Sequence, residues 1–117
     1  MVGASPEPWR PSFGIVAALK RVGFRVVAVN PNHAGHELHG EPIVASLAAA
    51  GPVDLVNVFR RSDAIDDVVT EAIAAGAPAI WTQLGIHNEP ALDRAREAGL
   101  EVVSNRCISV ELARMGA

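Results

Sequence analysis

At 117 residues, with half of them hydrophobic but only 4% aromatic, the chain has room for one domain with a single core and none for a second catalytic domain. A net charge of -3 with Lys20 as the only lysine lacks the basic stripe of a nucleic-acid surface, and a single cysteine, Cys107, excludes an internal disulfide framework. No segment approaches the roughly 18 apolar residues of a membrane span and no basic-then-apolar leader precedes Gly3, so a soluble protein of the reducing cytoplasm, with neither nucleic acid nor membrane as partner, is expected.

Met1-Val2 reads as the stub of a strand that runs into the small-residue loop Gly3-Ala4-Ser5, so the first strand is expected to be truncated. Ser12 is placed to cap a helix over residues 13–22, with Phe13, Val16 and Leu19 on one face and Gly23 as its stop. Residues 25–29 are rich in β-branched side chains and end at Asn30-Pro31. Residues 31–52 hold most of the irregular composition, including Gly40, Glu41 and Pro42, and read as a loop with one weak helix near residues 46–50. Strand and helix then alternate: 55–58 before 65–75, 79–81 before 89–98, and 102–103 before 110–115, with Gly76, Gly99 and Gly116 near the helix ends. Short continuous apolar strands alternating with helices predict an α/β fold around a parallel sheet covered on both faces.

In such sheets ligands bind beyond the carboxyl ends of the strands. Those ends are Gly3-Ala4-Ser5, Asn30-Pro31, Phe59-Arg60-Arg61, Gln83-Leu84-Gly85 and Asn105-Arg106-Cys107, and polar and glycine residues gather there. A loop of small residues before a helix lets backbone N–H groups meet an anion at the positive end of the helix dipole. A dinucleotide site would add G-x-G-x-x-G and an acid at the end of the second strand; Gly3 has no such partner and the strand ends in Asn30-Pro31. A Walker loop is missing as well. What remains is a loop with Ser5 and Ser12, the nearby Arg10, and an Arg60-Arg61 pair at another strand end, which suits a nucleotide carrying an extra phosphate.

Gly3-Ala4-Ser5, Arg10-Pro11-Ser12, Val29-Asn30-Pro31, Gly35-x-Glu37-x-x-Gly40-Glu41, Val58-Phe59-Arg60-Arg61 and Gln83-Leu84-Gly85 together resemble the single-domain CoA-binding protein family, itself similar to the CoA-binding domain of the succinyl-CoA synthetase alpha subunit. The resemblance spans residues 1–117 as one CoA-binding domain. It implies a Rossmann-like three-layer fold with a five-stranded parallel sheet in order 3-2-1-4-5. By the same resemblance, Gly3, Ala4 and Ser5 with Ser12 cradle phosphates, Asn30 and Pro31 flank the adenosine, Phe59 and Arg60 lie beside nucleotide and pantetheine, and Gln83, Leu84 and Gly85 close the site at the fourth strand end.

Each motif has a plainer reading. Asn30-Pro31 also ends a strand simply because proline cannot continue the ladder. One arginine of Arg60-Arg61 can pair with Asp63, Asp66 or Asp67 while the other faces ligand. His33, His36 and His39 recur every third residue, yet lack the supporting ligands of a zinc site, and no metal is assigned. Cys107 reads as a small buried hydrophobe. With no nucleophile and base brought together at the strand ends, the expectation is non-catalytic binding of coenzyme A or an acyl-CoA. The alternative is a CoA-binding component of an acyl-CoA ligase or transferase whose catalytic domain is a separate chain, and the macromolecular partner would then be that enzyme subunit or, for a homodimer, a second copy.

Overall fold

Helix α1 (Pro11–Val22) begins at a proline, whose ring presets the helical φ and whose missing N–H has no helical acceptor to lose. It ends at Gly23, where the Phe24 N–H reaches back to the Leu19 carbonyl at 3.1 Å. The same five-residue reach closes the third and fourth helices, Ala77 to Ala72 at 3.1 Å and Leu100 to Ala95 at 3.0 Å, and turns each helix toward the strand that follows. In this computed structural model, which describes residues 1–116, the remaining helices are α2 (Leu47–Ala50), α3 (Ile65–Ala74), α4 (Glu89–Glu97) and α5 (Ile108–Arg114).

The strands are β1 (Ala28–Val29), β2 (Glu37–Leu38), β3 (Glu41–Val44), β4 (Val56–Val58), β5 (Ala79–Thr82) and β6 (Glu101–Val103). They form two three-stranded sheets, ordered β1-β3-β2 and β4-β5-β6, with every pairing parallel except β2 with β3. Val2 joins them by single parallel bridges to Val29 on one side and Val58 on the other. Backbone bonds from Val2 N–H to Asn57 O (2.8 Å) and from Gly3 N–H to Val29 O (2.8 Å) hold that seam.

The α/β class with parallel pairing holds, but the single five-stranded sheet in order 3-2-1-4-5 does not. Met1-Val2 is too short to be more than a bridging residue, and a strand hidden in the expected loop takes the place outside β1. That strand, β3, belongs to a hairpin whose two turn residues, His39 and Gly40, both have positive φ, the backbone that matches strand twist in tight hairpins. Val56–Val58 lies on the other side of Val2, next to β5.

Alternation along the strands divides the core in two. Val2, Val29, Val56, Val58 and Ile80 pack with α3 and α4 through Ile65, Val68, Val69, Leu92 and Ala95. Met1, Ala4, Ala28 and Ile43 pack on the other side with Val16 and Leu19 of α1 and Ile108 of α5. Each such valine, leucine, isoleucine or methionine side chain contributes roughly 1.5–3 kcal/mol by burial. The two layers of helix clamp the strands so that their carboxyl ends open together.

Candidate functional site

A cleft of about 550 Å³ opens at those carboxyl ends. Its floor is the first loop. Gly3 lies so close to β4 that a methyl group there would stand 2.5 Å from the Phe59 carbonyl oxygen and 3.1 Å from Arg60 Cδ. Ser5 and Ser12 are buried, and the Ser5 N–H donates to Ser12 Oγ at 3.1 Å, which ties the loop to α1. The Glu7 N–H donates in turn to Ser5 Oγ at 3.2 Å. Ser12 is therefore inside the helix rather than capping it. Proline at position 11 lets the helix start earlier, leaving Arg10 as the flanking residue, and no side chain caps the first turn. Pro11 has no N–H and the Phe13 N–H donates to Arg10 O at 3.1 Å, so with no side-chain cap and no acidic residue there, the Ser12 N–H and the positive end of the helix dipole are what the first turn offers an anion.

Arginines line the same opening. Arg10 is held by Glu7 at 3.3 Å, and Arg61 makes a 3.4 Å pair with Asp63 in which both side chains are largely exposed, so the pair is weak. Arg60 is partly buried over Gly3 and makes no ion pair among the described residues. Asp66, another of the candidate partners, is taken by Arg94 at 2.7 Å. Phe59 and Asn30 complete the predicted residues on the cleft wall. Both ends of the Asn30 amide bond within the protein: its Nδ2 donates to Ala4 O at 2.9 Å and its Oδ1 accepts from Asn32 N–H at 3.0 Å, so it fastens β1 to the first loop.

Other predicted residues lie off the cleft lining. Ala4 is buried beneath the loop and Pro31 is exposed beside it. Gln83 is buried and turned into the space between β4 and α5, where its Nε2 donates to Asn57 Oδ1 and its Oε1 accepts from Ile108 N–H at 3.2 Å. Leu84 is exposed, and the Gly85 N–H donates to Asn105 Oδ1 at 2.6 Å, stitching the β5 and β6 ends together.

Sequence reasoning missed Asn32, His33 and Ile86 as cleft residues. Asn32 carries no motif, and His33 reads in the sequence as one of a histidine series for metal; their nearness to the strand end at Asn30 is the signal that could have placed them at the cleft. The histidine series does not converge: His39 Nε2 sits 2.7 Å from Phe13 O with its ring on Phe13, whereas His33 and His36 meet edge-on at 6.1 Å. A smaller cavity of about 240 Å³ opens at the opposite ends of the strands, between Val27, Leu55 and Ile108, and no glycine among the described residues lines it.

Comparison with known proteins agrees with this geometry. Residues 1–113 match the family described as CoA binding domain. The chain is 38% identical over 111 residues to the uncharacterized protein YneT of Bacillus subtilis (strain 168), covering 94% of this chain and 81% of that one. A structure from Thermus thermophilus is 39% identical with a TM-score of 0.92, over 97% of this chain and 86% of that one. A hypothetical protein from Pyrococcus horikoshii OT3 is 32% identical with a TM-score of 0.93, over 99% and 81%.

Proposed function

The chain belongs to the CoA-binding domain family related to the succinyl-CoA synthetase alpha subunit, and from that premise we propose that its cleft holds coenzyme A or an acyl-CoA without transforming it. One observation carries the reading: phosphate partners of three kinds, the Gly3 loop, the uncapped start of α1 and the arginines Arg10, Arg60 and Arg61, surround one opening whose lining includes no carboxylate among the described residues. The diphosphate would rest on the loop and helix start, as such sites use backbone N–H groups and the dipole together. Arg60 would add a charge-assisted contact, and Phe59 would lie along the nucleotide and pantetheine.

The non-catalytic part of the proposal is supported by the chemistry of the lining. Both serine oxygens already accept backbone N–H donors, and among the described residues no Asp, Glu or Cys lines the cleft and no hydrogen bond links His33 to a hydroxyl. Calorimetric titration with CoA and with NAD tests the binding: CoA should bind at least about tenfold tighter, because an acid for an unmodified ribose is missing at the end of β1. Tighter binding of NAD would overturn it. Incubation with acetyl-CoA should release no CoA above the uncatalysed rate, and steady turnover that a single cleft substitution abolishes would show a catalytic group at work.

A further inference from the structure

In a doubly wound sheet the diphosphate sits on the first loop, and the end of the next strand of the same βαβ unit meets the ribose. An acid there takes an unmodified hydroxyl, whereas a basic group takes a ribose phosphate. Here that next strand is β1, and the chain leaves it through residues 30–33. The His33 N–H donates to Asn30 O at 3.2 Å and closes a turn, while the Asn30 side chain bonds both Ala4 O and Asn32 N–H. The turn is thus fastened to the phosphate loop itself. Farther on, bonds from Gly35 N–H to Ile43 O (3.0 Å) and from Ile43 N–H to His36 O (2.8 Å) anchor the chain to β3.

His33 is held in this way on the cleft wall, half-buried, beside Asn32, and its ring makes no hydrogen bond among the described residues. The arginines of the cleft, Arg10, Arg60 and Arg61, stand on different elements, at the start of α1 and after β4. Imidazole offers an N–H donor in either neutral tautomer and a cation when protonated. We infer that His33 selects nucleotides whose adenosine ribose carries a phosphate over those with an unmodified ribose. This rests on the CoA reading of the cleft and adds to it the residue that reads the extra phosphate.

The experiment is a cycle of affinities for CoA and dephospho-CoA, which differ only in the ribose phosphate, measured by calorimetry on the parent chain, His33→Gln and His33→Arg, with circular dichroism melting curves for each. The parent should prefer CoA, and His33→Gln should lower that preference about tenfold by weakening CoA alone. His33→Arg, which keeps a cation at the position, should retain the preference. A preference unchanged in His33→Gln, or equal weakening of both ligands, overturns this inference while leaving CoA binding intact. Failure of the parent to bind either ligand overturns the CoA reading and this inference with it.

Discussion

Gly3→Ala is the substitution for which the structure gives the sharpest expectation. Gly3 has φ +88, a conformation that costs a side-chain-bearing residue roughly 1–3 kcal/mol. The added methyl would also meet Phe59 O at 2.5 Å and Phe59 C at 2.8 Å, both backbone atoms of the chain leaving β4. Neither can swing aside as a side chain would, because Phe59 N–H is bonded to Val2 O at 2.7 Å across the seam between the two sheets. Forcing them apart adds roughly another 1–3 kcal/mol of overpacking. The total, about 2–6 kcal/mol, is a large part of the roughly 6–18 kcal/mol that a domain of 117 residues commands. Urea unfolding followed by circular dichroism should show a much lower midpoint, with CoA affinity reduced because the loop is displaced. Gly35→Ala is the matched control, since Gly35 has φ +90 but open space around its Cβ position, and it should lose only the conformational part. Equal losses in the two variants, or a parent-like midpoint in Gly3→Ala, would refute the close-approach argument.

Arg60→Ala should weaken CoA binding about ten- to a hundredfold with an unchanged melting temperature, since a charge-assisted contact to phosphate contributes roughly 1.5–3 kcal/mol. Arg61→Ala should do less, because its guanidinium is engaged with Asp63 at an exposed site; equal effects in calorimetry would contradict the assignment. Gln83→Leu should destabilise the fold by about 2–5 kcal/mol in urea titration, because it strands the buried Asn57 Oδ1 and the Ile108 N–H, yet leave CoA affinity of the folded protein unaltered. Gly14→Ala, in open space inside α1, should raise stability by about 1 kcal/mol in the same assay. Burial lowers the Met1 α-amino group from 8.0 to about 6, so the unfolded chain holds this proton through a range in which the folded chain has released it. Stability should therefore rise between pH 6 and 8, by on the order of 2–3 kcal/mol, and an N-acetylated form should lack the rise.

The strand-helix alternation was legible because each helix carries its own stop at a glycine and each central strand is a short apolar run, as at residues 55–58 and 79–81. The hairpin of β2 and β3 was not. Its turn residues are His39-Gly40 rather than the asparagine-glycine pair that usually announces such a turn, and Pro42 interrupts the strand pattern. Without that strand the order of the sheet could not be derived. Within the site, position at a strand end identified the backbone elements that face the cleft but not where each side chain goes. Gln83 shows the difference: it follows the last residue of β5, alternates with Thr82, and is drawn inward to donate to the buried Asn57 Oδ1 in β4, whose Nδ2 is already directed at Met1 Sδ.

Asn30 and Gly3 join fold and site in one arrangement. The first loop has two neighbours, β1 and the chain after β4, and it is fixed to each by a different device: a side-chain amide that bonds the Ala4 carbonyl on the first side, and a missing Cβ that permits backbone contact on the second. A phosphate group placed on this loop would therefore press against elements of both three-stranded sheets, whose strand pairing among the described residues is joined through Val2. Ligand bound there contacts both halves in the folded state and neither in the unfolded state, so saturation with CoA should stabilise the chain by RT ln(1 + [L]/Kd), about 2.7 kcal/mol at a hundred times Kd. Melting curves over a CoA series check this. Hydrogen exchange adds a finer test: amides of the seam, Val2, Gly3, Val29 and Phe59, should gain protection together on binding. If those on the β1 side slow while Phe59 does not, the ligand engages one sheet alone and the bridging arrangement is wrong.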